Sequence, residues 1–492
     1  MLFNADRIPR GIAAWVLVVW SIMGTAVAAD TPHEATKELL DELTNDPAWA
    51  AQDMGVSVIR VSDGEVLFES NADELRVPAS AAKLVTAAAA LDSLGPSFTF
   101  VTEVWSTGDV VDGTLKGDLY VRGGGDPTLV QERIWRLLGD LRRDGIASID
   151  GDIIFDDSRF SGDPQIPGWT KPRDLADGPS YFPSIGALGL DFGTVTLVVR
   201  PGTEPGKAAT VEPEAPYGSA IRWDNQVVTD VQGRRRDIDV VREVNGRTLN
   251  FVLSGSIPVN GDTVRIRRAV HDPTAVFMQV FDDLRRQQGM NVTGELRRAS
   301  VPADAERLRV IYSPPLASVL MDTNKYSSNF MAEMVLRTLG AETSGEGSNE
   351  QGLVAVEAYL AKLGFSADAY RMKNGSGLSR ETMMPPHLLT AVIRDMVRNW
   401  QAGPEFVASM AIAGVDGTLR KRMRDHAGAL RGKTGTLDGV HCLAGVLQTA
   451  SGETLAYSIL VNDIAGRLSR VKDLQDRFLS IWLMDGHGGE TK

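Results

Sequence analysis

The chain has 492 residues, more than one hydrophobic core usually supports, so two or three domains are expected. Its 43% hydrophobic and 23% charged residues exclude a disordered or fibrous protein. A formal charge of −13 excludes a general nucleic-acid binder, whose surface needs excess Lys and Arg to meet phosphates.

At the N-terminus, Arg7 and Arg10 precede an apolar run from Gly11 to Met23, followed by Ala26-Val27-Ala28-Ala29 before Asp30. That order predicts a secretory signal peptide over residues 1–29 and an exported, periplasmic protein. The competing reading is a retained segment, since roughly 19 apolar residues approach spanning length; membrane association is expected only in that case. No cysteine lies there for lipid attachment. Cys442 is the only cysteine, so no intramolecular disulfide can form, and its apolar surroundings predict a small buried hydrophobe.

From Gly55, the alternating Val56, Val58 and Val61, a turn at Asp63-Gly64, and then Val66 and Phe68 predict a hairpin. Pro78 precedes an Ala- and Leu-rich run from Ser80 to Leu91, predicting a helix that Ser80 opens. From about 97 to 304 the texture changes to short β-like runs, such as Leu119 to Val121 and Ile153 to Phe155, and predicts an inserted domain. Within it, Val195 to Val199, Val227-Val228, Leu249 to Leu253 and Val264 to Ile266 predict a nested β-rich domain over 195–267, leaving 97–194 and 268–304 around it. Helical spacing returns with Leu353, Val356, Leu360 and Leu363, stopped by Gly364. Val440 to Gln448 and Thr454 to Asn462 predict a second hairpin, and Leu468 to Leu483 a terminal amphipathic helix.

Three motifs in one order carry the chemistry: Ser80-Ala-Ala-Lys83, Ser327-Ser328-Asn329 and Lys433-Thr434-Gly435. A four-residue pattern with two fixed positions arises by chance on the order of once in such a chain, so the ordered set, not any one match, is informative. Ser80 and Lys83, three apart on a helix, share a face, which suits a nucleophile and a base whose pKa is depressed by burial and nearby cations. For that pair alone, a capping serine and a solvated lysine is the ordinary alternative. Ser327 to Asn329 lies between two apolar runs, at a helix junction, where a simple capping turn is the competing reading. Lys433 can meet a substrate carboxylate, and Gly435 would let a ligand backbone approach the strand. Gly123-Gly124-Gly125-Asp126-Pro127 lacks nucleotide-motif spacing and reads as a structural turn, and Arg234-Arg235-Arg236 as a solvated loop. The six histidines show no metal-ligand spacing, so neither metal nor other cofactor is expected.

With these motifs the chain resembles the low-molecular-mass class C penicillin-binding proteins, the S13 family of D-alanyl-D-alanine carboxypeptidases and endopeptidases. The resemblance includes Gly124 to Leu129, Gly375 to Arg380, Asp416 to Leu419, and the long interval between Ser80 and Ser327, which no compact β-lactamase contains. It implies an α+β fold: a transpeptidase-like (β-lactamase-like) domain from 30–96 and 305–492, with mostly-β inserted domains. It implies that Ser80 forms an acyl-enzyme, Lys83 activates it, Ser327 relays a proton, Asn329 holds the substrate amide, and Lys433, assisted by Thr434, attracts the terminal carboxylate. Gly435 would line the substrate strand, and the N–H groups of Ser80 and Thr436 would form the oxyanion hole. Asp156, Phe160 and Arg380 would surround the side chain of a diamino acid in the stem peptide. Asp438, where glutamine is usual, and Asn374, where aspartate is usual, depart from the family pattern. The implied partners are peptidoglycan stem peptides and β-lactam antibiotics, with no nucleic acid. A serine β-lactamase would need rapid deacylation, and no E-x-x-L-N segment of the class A kind is present. A silent wall-binding scaffold is the alternative from another class, which the intact Ser80, Lys83, Ser327 and Lys433 oppose.

Overall fold

A computed structural model describes residues 34–50, 53–169, 178–245, 248–464 and 468–485. The signal segment expected over 1–29 lies outside the described residues. Among them, no helix is long and apolar enough to cross a membrane.

The half that carries the three motifs is built on a six-stranded sheet. In spatial order its strands are Ala411–Ile412, Leu430–Leu437, Val440–Gln448, Thr454–Asn462, Asp53–Arg60 and Val66–Ser70, each antiparallel to its neighbour. Both predicted hairpins are present, and they meet where Asp53–Arg60 pairs with Thr454–Asn462. Period-two alternation sends Cys442, Ala444 and Val446 to one face and Leu443 and Leu447 to the other. The first face packs on the buried helices Lys83–Leu94, Asn329–Ser344 and Pro386–Arg398; the second packs on the terminal helix Leu468–Leu483 and on Glu34–Thr44. Because both faces are covered, Val440–Gln448 is buried at every position but its last. Cys442 is among these buried residues, and burial pushes its thiol up to about 12, which suits an inert packing group.

Ser80 does not open the α-helix. It lies in a 3₁₀ turn, Ala79–Ala82, and the α-helix begins at Lys83. Pro78 takes helical angles just before this turn, and Ala79 follows with φ of 46°, a left-handed conformation costly for a residue with a Cβ. The chain is thus bent sharply just ahead of the serine.

The insertion holds a five-stranded sheet in the order Leu296–Arg298, Ile153–Asp156, Leu119–Arg122, Val101–Ser106, Glu306–Tyr312, together with a small four-stranded sheet and two three-stranded ones. Two expectations change here. Glu306–Tyr312 pairs with Val101–Ser106, so the insertion extends to Tyr312 and not to 304. This is an edge strand whose Arg307-Leu308-Arg309-Val310 alternates charged and apolar residues, with a register shift between Arg307 and Arg309. Second, the stretch 195–267 does not form a core of its own. One apolar cluster runs from Val104, Leu119 and Phe155 through Leu197 and Phe251 to Phe277, uniting it with the surrounding insertion. The fold is α+β, a β-lactamase-like domain with β-rich insertions.

Candidate active site

The three motifs converge from three elements: the 3₁₀ turn Ala79–Ala82, the junction between helices Leu316–Lys325 and Asn329–Ser344, and the strand Leu430–Leu437. Lys83 Nζ donates to Ser80 Oγ at 2.8 Å, to Asn329 Oδ1 at 2.6 Å and to the Ser376 carbonyl at 2.8 Å. Lys433 Nζ donates to Ser327 Oγ at 2.9 Å and to the Thr434 carbonyl at 2.7 Å. Ser80, Ser327 and Asn329 line a common cleft of about 660 Å³ with Trp169, Tyr181 and Thr436.

Ser328 is the capping residue, its hydroxyl accepting from the Met331 N–H at 3.2 Å. The capping reading therefore holds for the middle serine alone, which frees Ser327 and Asn329 to face Lys433 and Lys83. Ser327 has φ of 58°, and such strain in a residue with a side chain persists where the surroundings over-determine it. Asn329 Nδ2 donates to the Tyr181 carbonyl at 2.7 Å, tying the insertion to the site.

Both lysines are completely buried. Desolvation, reinforced by the Lys433 charge and opposed by Glu333, holds the Lys83 ammonium well below the ordinary lysine range. Burial brings Lys433 down to about 7. A lysine whose ammonium is disfavoured in this way is more readily available as the free amine a general base needs, and Lys83 has one hydroxyl, that of Ser80, within reach among its three partners.

Gly435 differs from expectation in what approaches it. A Cβ there would stand 2.4 Å from the Pro78 carbonyl oxygen and 3.1 Å from the Ala81 nitrogen, so the missing side chain lets the Ser80 turn, not a ligand, lie against the strand. Gly377 makes the same accommodation from the other side: its φ is 71° and a Cβ would meet the Ala79 carbonyl oxygen. The exposed Thr436 donates to or accepts from His441 Nδ1 at 2.9 Å, and Thr434 Oγ1 donates to Thr418 Oγ1 at 2.9 Å. Burial, then the neighbouring Arg422, lowers His441 to about 3, so its ring is neutral.

Of the three residues expected around a diamino-acid side chain, only Arg380 lines the cleft, where its guanidinium donates to the Asp438 carbonyl. Asp156 is buried and committed elsewhere: its carboxylate accepts from Ser158 Oγ at 2.6 Å, the Ser158 N–H at 3.0 Å and the Val301 N–H at 2.9 Å. The Phe160 ring packs over Gly125, where a Cβ would meet it at 2.4 Å, and against the cluster of Ile166, Phe182 and Phe330. The glycine turn beside it is structural: a Cβ on Gly124 would stand 1.6 Å from the Val101 carbonyl oxygen. Asn374, in place of the usual aspartate, donates from Nδ2 to the Pro167 carbonyl at 2.9 Å and accepts the Gly377 N–H at 2.9 Å, a pairing that needs an amide. Sequence reasoning missed Glu333 and the part played by Ser376. The available signal was an isolated glutamate inside the apolar run Phe330 to Leu339, four residues after Asn329 and so on the same helix face.

A serine held by a buried lysine, beside a second lysine–serine pair on a β-lactamase-like fold, defines a penicillin-recognising serine hydrolase. Comparison with known proteins narrows this, because the chain matches the D-Ala-D-Ala carboxypeptidase 3 (S13) family over residues 36–479 and belongs to that family. It is similar to a D-alanyl-D-alanine carboxypeptidase of Actinomadura sp. (strain R39), with 34% identity over 474 residues, 92% of this chain and 86% of the relative. It is also similar to the D-alanyl-D-alanine carboxypeptidase DacB of Haemophilus influenzae, with 27% identity over 83% of this chain and 85% of that one. The crystal structure of penicillin binding protein 4 (dacB) from Haemophilus influenzae superposes with a TM-score of 0.77 at 25% identity, over 90% of this chain and 98% of that one. The activity is that of a serine D,D-peptidase acting on D-Ala-D-Ala bonds of peptidoglycan.

Proposed function

We propose that the protein is exported and cleaves D-Ala-D-Ala termini or D,D cross-links of stem peptides through an acyl-enzyme on Ser80. The observation that carries this reading is the 2.8 Å hydrogen bond from a fully buried Lys83 to Ser80 Oγ. Neutral Lys83 takes the hydroxyl proton as Ser80 Oγ attacks the carbonyl carbon of the penultimate D-Ala. The N–H groups of Ser80 and Thr436 receive the developing oxyanion. Collapse of the tetrahedral intermediate breaks the C–N bond, and Ser327, held by Lys433, relays to the departing amine the proton that Lys83 took from Ser80, which leaves Lys83 neutral again and Ser327 a hydroxyl. Water then hydrolyses the ester and regenerates Ser80.

Asn329 keeps one amide N–H for the substrate, since its oxygen serves Lys83 and its other N–H serves Tyr181. Lys433 acts on the terminal carboxylate by its charge from beneath the surface, while the hydroxyls of Thr434 and Thr436 face a basin that also holds Arg420. β-Lactams would acylate Ser80 by the same attack. Export follows from the charged, apolar and small-residue order over 1–29.

The test is mass spectrometry of defined monomeric and cross-linked muropeptides incubated with the purified enzyme. Release of D-Ala from the monomer, or conversion of the dimer to monomers, is expected; intact substrates alongside a correctly folded enzyme would reject the reading. N-terminal sequencing of the exported protein, expected to begin near Ala29 or Asp30, tests the leader separately.

A further inference from the structure

One turn beyond Asn329, the helix Asn329–Ser344 buries a glutamate that the mechanism above leaves unused. Glu333 is 2% exposed, and its two oxygens accept from the Gly375 N–H at 3.1 Å and the Ser376 N–H at 2.8 Å. The carbonyls of the same two residues face the helix that follows the nucleophile. Ser376 O accepts from Lys83 Nζ at 2.8 Å, and Gly375 O accepts from Thr86 Oγ1 at 2.7 Å. The segment 375–376 is therefore clamped between Glu333 and the two polar side chains that Lys83–Leu94 presents.

We propose that Glu333 is a positioning residue for acylation: its carboxylate fixes the segment that orients Lys83 Nζ toward Ser80, and its charge sets how basic Lys83 is. The inference rests on the reading of Lys83 as the base.

The charge half of this follows from what surrounds the carboxylate. Lys83 faces it from the nucleophile helix, with Lys433 acting on Lys83 from the strand. Arg337 acts on it from its own helix, its guanidinium already engaged by the Ser161 and Asp163 carbonyls. The segment Asn374 to Ser379 contributes no charged side chain. Burial pushes the Glu333 carboxyl above its ordinary range, and the hydrogen bonds from Ser376 and Gly375 and the Lys83 charge offset that only in part, so the case for the anion rests on the geometry of the donors. Two N–H donors aimed at two oxygens are matched by an ionised carboxylate; a protonated one would turn an O–H donor toward donors. The anion in turn opposes the desolvation that strips Lys83 of its proton. Without it, Lys83 would be neutral at lower pH but a weaker base. Glutamine fills the same volume yet offers one acceptor oxygen to two amides.

The measurement is the second-order rate of acylation by a fluorescent penicillin as a function of pH, for the wild type and for Glu333→Gln, Thr86→Val and Lys83→Ala. For Glu333→Gln the ascending acidic limb should move down by about one pH unit, the shift a nearby opposite charge ordinarily produces, with a plateau at least about tenfold lower. Thr86→Val removes a clamp without changing charge and should lower the plateau while leaving the limb in place. A limb unmoved in Glu333→Gln, with Lys83→Ala inactive, overturns this inference and spares the base assignment. Lys83→Ala acylating at the wild-type rate overturns the base assignment itself. Should Glu333→Gln fail to fold by circular dichroism, infrared spectra of the wild type labelled with ¹³C-carboxyl glutamate carry the test. No protonated glutamate carboxyl stretch is expected at neutral pH, and its presence would overturn the proposed anion.

Discussion

The α-carbon of Gly435 faces the Pro78 carbonyl so closely that a Cβ would stand 2.4 Å from its oxygen. The strand carrying Lys433 and the turn carrying Ser80 are thus in backbone contact, and the distance between the two catalytic elements depends on one absent methyl group. Alanine at this position must push strand and turn apart, since the atoms it meets, the Pro78 oxygen, the Ala81 nitrogen and the Ala79 Cβ, cannot rotate away. Overpacking of this kind costs about 1–3 kcal/mol, and displacement of a catalytic element by about 1 Å can cost on the order of 10²-fold in rate. Gly435→Ala should therefore stay folded, melt earlier, and acylate with penicillin on the order of a hundredfold more slowly. A wild-type acylation rate in stopped-flow labelling would show that the contact does not set the site.

Ser80→Ala removes the only bond-forming atom of the proposed mechanism and one hydrogen bond from Lys83, while the buried Ala79, Ala81 and Ala82 that pack the turn remain. Covalent labelling and muropeptide hydrolysis should both vanish while the melting temperature stays within a few degrees of the wild type. Residual labelling at an equal rate would place the nucleophile elsewhere.

Asp156 and Arg380, grouped together by family resemblance, should separate in experiment. Asp156 closes a turn and receives the Val301 N–H in a buried setting, so Asp156→Ala leaves buried donors unpaired, at about 1–3 kcal/mol. Lower stability with unchanged preference among stem peptides is expected. Arg380 is exposed on the cleft wall, so Arg380→Ala should leave stability and penicillin acylation nearly unchanged but reduce kcat/KM on stems whose third residue carries a free carboxylate. If Asp156→Ala altered selectivity at wild-type stability, its carboxylate would have to reach substrate.

The hairpin Val440–Gln448 and Thr454–Asn462 was legible as two near-continuous apolar runs, as strands covered on both faces must be, while the terminal helix was legible from its helical period. The motifs were legible as chemistry because Ser80-Ala-Ala-Lys83, Ser327-Ser328-Asn329 and Lys433-Thr434-Gly435 occur together in one order. What sequence could not show arose from contacts distant along the chain. The role of Gly435 depends on Pro78, and the 3₁₀ turn depends on Ala79 being held in a left-handed conformation by its surroundings. Glu333 acquires a purpose only when Gly375 and Ser376 come within hydrogen-bond reach. The edge strand Glu306–Tyr312 carries a readable alternation, Arg307-Leu308-Arg309-Val310, but only its pairing with Val101–Ser106, far away along the chain, assigns it to the insertion.

Lys433 offers the sharpest test of how charge is used, because burial brings it to about 7, within the working range of an enzyme. A depressed lysine is cationic below that value and neutral above it. If its charge draws the terminal carboxylate, kcat/KM on a stem ending in free D-Ala-D-Ala should rise as Lys83 loses its proton, then fall as pH passes through about 7 and Lys433 is discharged. With two buried lysines interacting, the limbs report values for the pair and not for either residue alone. A stem whose terminal carboxylate is amidated lacks the charge that Lys433 attracts, so its profile should keep the rising limb and lose most of the descent. Lys433→Ala should accordingly reduce kcat/KM more on the acid than on the amide, with the difference largest below pH 7; a charged hydrogen bond is worth about 1.5–3 kcal/mol. Stability should follow the same titration in reverse. An unfolded lysine holds its proton to a higher pH than Lys433 does, so the unfolded state binds more protons from about 7 upward and the wild type should gain stability with rising pH relative to the variant. Equal descending limbs for acid and amide would show that Lys433 serves Ser327 and proton transfer alone, which its 2.9 Å hydrogen bond to Ser327 Oγ already permits.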